Sequence, residues 1–156
     1  MRSPIRSKTR GTWGPPPRPL WILTAFLLIG VCAFAQTEEK FKIRLTMVPL
    51  DGAMRATVAG SGSGSATLNG SKLTIAAAFD GMPGPATAAK LHKGVATGVR
   101  GSAFQDLTVT KAAKGTATGT FDLTPDQVDS LRKGKLYILI SSEKSPEGTL
   151  WGWILK

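Results

Sequence analysis

Residues 121–155 read FDLTPDQVDSLRKGKLYILISSEKSPEGTLWGWIL, and this stretch decides the fold. Its middle predicts one short helix at about 125–133, and strand candidates lie on both sides of that helix. Thr124 is a suitable N-cap, the proline after it suits the first helical position, and Gln127 completes a capping box. Gly134 stands where helices commonly end in a left-handed conformation. The stretch therefore predicts a strand, a short helix, a strand, a loop and a strand.

Period-two alternation also marks the chain before this stretch. The segment 41–48 alternates apolar and polar residues, and Asn69-Gly70 predicts a hairpin that leads into a strand at 73–79. Further strand candidates are separated by glycine and proline turns: Met54–Ala59, Ser65–Leu68, Thr87–Leu91, Ala103–Val109 and Thr116–Leu123. Many short strands with closely spaced turns predict an all-β fold, an antiparallel sandwich or barrel.

The N-terminal residues have the pattern of a signal peptide. Basic residues precede the apolar run Leu20–Val31, and Ala33-Phe34-Ala35 matches an A-x-A cleavage site. The apolar run is shorter than the ~20 residues that a membrane-spanning helix needs. The sequence therefore predicts a signal peptide at 1–35 and one β domain at 36–156. We expect an exported protein, periplasmic or extracellular, with no membrane span after cleavage.

Cleavage after Ala35 can be tested directly. Intact-mass analysis of the exported protein should give a chain that begins at Gln36, either free or cyclised. A membrane-bound chain that still carries Leu20 to Ala35 would contradict this prediction. Because the only cysteine, Cys32, lies in the removed segment, the mature domain has no disulfide and depends on its core.

The charge of the chain is basic but dispersed. The sequence has 20 basic and 10 acidic residues, a net charge of +10. Removal of residues 1–35 takes away five basic residues and no acidic one, which leaves 15 basic and 10 acidic residues, or +5. No basic stripe and no known nucleic-acid module is visible. A nucleic-acid partner is therefore not expected.

No group of residues has the spacing of a catalytic or metal site. The run Gly60–Ser65 lacks the Lys-Ser/Thr pair of a phosphate-binding loop, which favours a flexible loop or a bulged strand. His92 is the only histidine, and one imidazole without partners makes neither a metal site nor a triad. Ser141 and Ser142 lack the context of a nucleophile elbow. The sequence predicts no catalytic residue, no metal ligand and no cofactor.

Five segments together resemble the CHRD (chordin) domain family, in the order of the family pattern. They are Ala89–Gly94, Gly101–Leu107, Gly119–Thr124, Leu131–Tyr137 and Pro146–Gly152. The resemblance implies an immunoglobulin-like antiparallel β-sandwich or barrel. Members are extracellular domains named from repeats in chordin, which antagonises growth factors, and they also occur as single-domain exported bacterial proteins. The resemblance implies no enzymatic activity.

Departures from the family pattern fall on one face of the C-terminal strands. Lys90-Leu91-His92 stands where the family has His-Ile-His, Ser141 replaces another family histidine, and tryptophans replace Arg and Gln. Strand alternation places these positions on one face together with Leu139 and Thr149. The opposite face keeps its apolar residues: Leu91, Ile138, Ile140, Leu150 and Ile154. The candidate binding face consists of Lys90, His92, Ser141, Trp151 and Trp153.

Two interpretations of Trp151 and Trp153 remain open from sequence. If this face is covered, apolar groups have replaced a buried polar network, an exchange that is often neutral or stabilising. If it is open, the indoles form a patch of the size that marks a partner or ligand site. The sequence favours packing, because apolar residues on both faces of a strand usually mean that both faces are covered.

Three classes of function follow from these features. The first is a non-catalytic binding or structural module of the cell envelope, whose partner is an unidentified protein or envelope ligand. The second is a metal-binding or superoxide-dismutase-like β-sandwich protein, which the single histidine disfavours. The third is carbohydrate or small-ligand binding through an aromatic patch. Solvent exposure of the two indoles separates the third class from the first.

Overall fold

The computed structural model describes residues 37–49 and 56–156, together with Gly11, Gly14 and Gly52. Apart from two of these glycines, the predicted signal peptide lies outside the described residues. The chain divides into two units, Met1–Ala33 and Phe34–Lys156, and the strands all belong to the second. The only helix in the described part of the chain has eight residues, and none there has the length and apolar character to cross a bilayer.

Eight antiparallel strands close into a barrel. In chain order the elements are β1 (Glu38–Met47), β2 (Ser61–Asn69), β3 (Lys72–Asp80), β4 (Ala86–Lys93), β5 (Ser102–Val109), β6 (Gly115–Asp122), α1 (Pro125–Arg132), β7 (Leu136–Ser142) and β8 (Ser145–Leu155). The strand order is β1-β2-β3-β6-β5-β4-β7-β8, and β8 pairs again with β1. The all-β prediction is confirmed, and of the two predicted arrangements the structure has the barrel.

Alternation along each strand fills the interior of the barrel. Phe41, Ile43 and Leu45 are buried while the residues between them face solvent, and β3 repeats the pattern from Leu73 to Phe79. In β4, β7 and β8 the five apolar residues of the face opposite the candidate binding face are all fully buried: Leu91, Ile138, Ile140, Leu150 and Ile154. One continuous apolar core therefore occupies the barrel.

The segment between β1 and β2 differs from the prediction. A strand at Met54–Ala59 is wrong for the described residues 56–59, which form a short helical turn and irregular backbone, while Met54 lies outside the described residues. The next strand begins at Ser61 rather than Ser65, so most of the glycine–serine run is regular β2, paired on both edges. Its glycines are needed because a Cβ on Gly62 or Gly64 would collide with β3.

Helix α1 has the boundaries that its capping residues predict. Gln127 N donates to Thr124 Oγ1, and the Gln127 side chain accepts from Thr124 N at 2.9 Å, which completes the capping box. Gly134 follows the helix with a φ of 66°, a conformation that glycine adopts without strain. The helix thus ends at Arg132, and residues 133–135 connect it to the start of β7 at Leu136.

A carboxylate on β1 ties α1 to the C-terminus of the chain. Glu39 accepts a hydrogen bond from Arg132 Nε at 2.9 Å and forms an ion pair with Lys156 Nζ at 2.8 Å. These contacts, the one with Arg132 first, hold the pKa of the Glu39 carboxyl below its ordinary value. A lowered pKa means that the ionised carboxylate is favoured in the folded protein.

We expect Glu39→Gln to lower the free energy of unfolding by about 1 kcal/mol or less at pH 7, because both cations are half exposed. The folded pKa is depressed, so this contribution is present above the ordinary glutamate pKa of about 4.3 and is lost as the pH falls through the folded pKa. Denaturant unfolding at several pH values should show parent and variant converging in acid. A difference that persists unchanged at low pH would contradict the assignment.

Candidate functional site

The predicted binding face lies on the outside of the barrel, on the sheet formed by β4, β7 and β8. His92 of β4 is level with Tyr137 of β7, which in turn is level with Trp153 of β8. One step along the strands, Leu139 lies between Lys90 and Trp151. Since the residues between these positions fill the barrel interior, the side chains named here point outward.

Four rings on this surface form one cluster, which we call the aromatic face: His92, Tyr137, Trp151 and Trp153. The Tyr137 ring stacks on His92 at 4.9 Å between centroids and packs at 4.5 Å against Trp153. Trp151 meets both Tyr137 and Trp153 edge-on, at 6.0 and 5.8 Å. These distances are those of favourable aromatic pairs, so the four rings support one another.

The loop that joins β4 to β5, residues 94–101, folds back over one side of the aromatic face. Gly94 N donates to Lys135 O at 2.8 Å, and Thr97 Oγ1 donates to Gly134 O at 2.8 Å. At the far end of the loop, Tyr137 Oη accepts from Gly101 N at 3.0 Å and donates to Gly101 O at 3.2 Å. Tyr137 is therefore only 1% exposed, although it lies outside the barrel.

Glycine is required at two positions of this loop. A Cβ on Gly101 would lie 1.8 Å from Lys93 O, and a Cβ on Gly94 would lie 2.3 Å from Val99 O and 3.0 Å from Trp153 Cη2. These close approaches let the backbone reach the Tyr137 hydroxyl and bring the loop against the indole of Trp153. The loop and the aromatic face are therefore built as one unit.

His92 is held by its backbone partner in a way that limits its chemistry. His92 Nδ1 lies 3.0 Å from Gly101 O, and because a carbonyl oxygen only accepts, Nδ1 carries the proton. His92 Nε2 and Trp153 Nε1 are both buried without a hydrogen-bond partner among the described residues. The imidazole thus anchors the loop through Nδ1, and its Nε2 does not face solvent.

We predict that the protein binds neither zinc nor copper tightly at one-to-one stoichiometry. The Nδ1 of His92 is already bonded, and among the described residues no three His, Cys, Asp or Glu side chains are grouped to hold a metal ion. Calorimetric titration of tag-free protein should show no submicromolar site. A one-to-one site that disappears in His92→Ala would contradict this prediction.

The other predicted face residues occupy the border of the cluster. Lys90 is exposed and forms an ion pair with Asp106 at 3.4 Å. Ser141 is partly exposed and lies level with Ala88, two positions beyond Leu139 and away from the rings. The structure therefore brings His92, Trp151 and Trp153 together and leaves Lys90 and Ser141 beside them.

Tyr137 is the central residue of the face, although it is not among the residues predicted to form the face. A signal was available, because Tyr137 has the same alternation parity as Leu139 and Ser141 and therefore shares their face. Its contact with Gly101, by contrast, depends on the path of the 94–101 loop, which the alternation of β7 does not encode.

The two indoles lie between the packed and the exposed interpretations. Each is half-buried, packed on one side against Tyr137 and open to solvent on another. The packing comes from the cluster and, for Trp153, from the 94–101 loop rather than from the barrel core. The surface is thus ordered and still accessible.

Comparison with known proteins places these features in one family. The model of the CHRD domain matches residues 46–154, which include β2 to β7, α1 and almost all of β8. No curated protein and no solved structure matches the chain.

Proposed function

This chain belongs to the CHRD domain family, and from that membership we propose that it is an exported, non-catalytic binding module of the cell envelope that binds through its aromatic face. Membership supports a small domain without enzymatic activity and is in keeping with extracellular or exported proteins. The signal-peptide pattern of residues 1–35 supports export.

The observation that carries this proposal is an aromatic cluster on the solvent side of a barrel whose core is already full. The interior beneath β8 is occupied by Leu150 and Ile154, and Gly152 lies against Ile43 and Leu45. The indoles of Trp151 and Trp153 are therefore not needed to fill the barrel. Tryptophan is among the residues that most often carry binding energy at interfaces, so two ordered, half-buried indoles are suited to a partner.

The use made of the chain's single histidine supports a non-catalytic role. A general base must present a nitrogen to its substrate, whereas His92 donates Nδ1 to Gly101 and buries Nε2. The carboxylates nearest the face are also engaged, Asp106 with Lys90 and Asp126 with Lys93. Asp106 and Asp126 thus form ion pairs at the border of the face.

The geometry of the indoles favours an apolar or mixed partner surface over a sugar ring. Trp151 and Trp153 meet at an interplanar angle of 69°, so they do not offer one flat platform on which a sugar could stack. Their edges make a contoured surface instead, and the buried Tyr137 ring packs against both of them. This arrangement favours the first class of function over carbohydrate binding.

Sedimentation with isolated cell envelopes tests the proposal. The exported protein should co-sediment with envelopes, and Trp151→Ser should reduce the bound fraction at least tenfold, because an aromatic anchor at an interface contributes about 2 kcal/mol or more. Thr118→Ala, on the exposed face of β6 in the opposite wall of the barrel, should bind as the parent does. Equal binding of Trp151→Ser and parent, with both folded, would contradict the proposal.

A further inference from the structure

The aromatic face has an apolar and basic border that the function proposed above does not explain. We propose that the aromatic face and the 94–101 loop dock on the surface of a bilayer that contains anionic lipid. This inference rests on the proposed function, since it names the partner of the same surface. It requires only peripheral contact with the bilayer.

Exposed apolar side chains concentrate at this end of the barrel. Among the described residues, the large apolar side chains that are strongly exposed are Met47, Val95, Val99 and Leu155. Val95 and Val99 belong to the 94–101 loop and are 72% and 47% exposed. Leu155 adjoins the loop, because a Cβ placed on Gly134 would lie 2.9 Å from Leu155 Cδ2 and 3.3 Å from Thr97 Oγ1. Three of the four therefore lie on or beside the 94–101 loop, and we call these three the apolar patch.

The loop that carries the valines is held in place before any partner arrives. Val99 N donates to Ala96 O at 3.1 Å, which closes a turn with Gly98 at a φ of 86°. The anchors from Thr97 and Gly101 fix this turn against β7 and its entry segment. A preformed loop loses little conformational entropy on binding, so exposed valines on it are suited to insertion.

Basic residues without an ion pair surround the same patch. Arg100 lies in the loop, Lys42 is level with Leu155, and Arg44 lies between the register pairs that bring β1 alongside Trp151 and Ile154. None of these three makes an ion pair with a described residue. The neighbouring carboxylates are already paired with other cations: Glu39, Asp106, Asp126 and Asp129. The surplus charge around the patch is therefore positive.

Carboxylates without an ion pair lie at both ends of the barrel. Glu143 and Glu147 belong to the β7–β8 hairpin at the opposite end of the barrel. Glu38 of β1 and Asp122 of β6 lie at the same end of the barrel as the loop, level with Asn69 of β2 and Lys72 of β3. The unpaired cations Arg100, Lys42 and Arg44 would thus attract an anionic surface at the loop, and they outnumber the unpaired carboxylate on β1, Glu38.

The order of these groups matches the layers of a bilayer surface. The valines are exposed on the loop, Trp153 lies against the loop at Gly94, and unpaired basic residues lie in the loop and on the neighbouring strand β1. Aliphatic groups enter the hydrocarbon boundary, indoles prefer the interface, and Lys and Arg interact with lipid phosphates. A protein pocket would explain the aromatic residues alone, whereas a lipid surface accounts for all three groups.

Vesicle sedimentation with matched variants tests the inference. The exported protein should bind vesicles of equal parts phosphatidylcholine and phosphatidylglycerol, bind phosphatidylcholine vesicles weakly, and lose affinity as salt rises. The double variant Val95→Ser/Val99→Ser should lower the partition coefficient roughly tenfold or more. Arg100→Gln should lower it about fivefold. Lys111→Gln, an unpaired lysine at the opposite end of the barrel, should leave it unchanged.

The comparison uses chains that begin at Gln36, so that the apolar run Leu20–Val31 makes no contribution to vesicle binding. Equal binding of the parent to both kinds of vesicle, or parental binding by the valine double variant, would overturn the inference. If the protein does not bind vesicles but still binds envelopes in a way that depends on Trp151, the lipid partner is wrong and the proposed binding function stands. If Trp151→Ser binds envelopes as the parent does, the proposed function itself is wrong.

Discussion

Gly64→Ala should destabilise the barrel by about 3 kcal/mol and lower the melting temperature by roughly 10 °C. A Cβ at this position would lie 2.5 Å from Ala76 O and 2.6 Å from both Cα and Cβ of Ala77. Carbon atoms normally pack at about 3.5–4.0 Å. The colliding atoms belong to β3, which is paired with β2 on one side and β6 on the other, so the strand cannot retreat alone.

The sign of this effect separates packing from intrinsic propensity. In a strand with free space, glycine to alanine is expected to stabilise by roughly 0.5–1 kcal/mol, because alanine loses less backbone entropy on folding. Ser65→Ala is the matched control, since its side chain is exposed and its backbone is in the same strand. Thermal and denaturant unfolding of both variants measure the difference. A Gly64→Ala protein as stable as Ser65→Ala would show that β2 and β3 lie farther apart than described.

Local sequence patterns were sufficient to predict the inside of the barrel. Strand alternation, together with the apolar character that the family pattern has at these positions, places Leu91, Ile138 and Ile154 on one apolar face, and each is fully buried. Helix α1 was equally predictable, because Thr124, Gln127 and the glycine after the helix act over a few residues. In both cases the information lies within one turn or one strand, and tertiary contacts do not override it.

The strand in the glycine–serine run could not be predicted from local alternation. Gly62 and Gly64 carry no side chain, so they give no alternation signal, and glycine is disfavoured in strands. What keeps this segment in the sheet is the neighbouring strand β3, whose approach leaves no room for a Cβ. That approach is a long-range property, and a window of a few residues does not contain it.

The aromatic face was predicted in part for the same reason. Alternation assigned His92, Trp151 and Trp153 to one face, and the structure brings these three rings together around Tyr137. Whether that face was covered depended on a loop from a distant part of the chain. The loop covers one side of the face and leaves the other open, so neither extreme interpretation from sequence described the surface.

Tyr137→Ala should destabilise the protein by about 3–5 kcal/mol, the range observed when a buried aromatic side chain is removed. The ring contacts His92, Trp151 and Trp153, and its hydroxyl is bonded to both backbone groups of Gly101. Its loss would therefore leave a cavity under the aromatic face and release one end of the 94–101 loop. Because such a variant would combine two effects, a second substitution is needed to separate them.

Tyr137→Phe keeps the ring and removes only the hydroxyl, so it isolates the attachment of the loop. We expect a cost of about 1–3 kcal/mol, since Gly101 N loses its partner. Cleavage by trypsin after Arg100 provides a sensitive measurement, because we expect a loop released from the surface to be cut faster than an anchored one. Cleavage after Arg100 should accelerate in Tyr137→Phe, while cleavage after Lys111 at the opposite end of the barrel serves as the internal control. Parental rates at Arg100 in this variant would mean that the remaining anchors, at Gly94, Thr97 and from His92 to Gly101 O, hold the loop without the tyrosine hydroxyl.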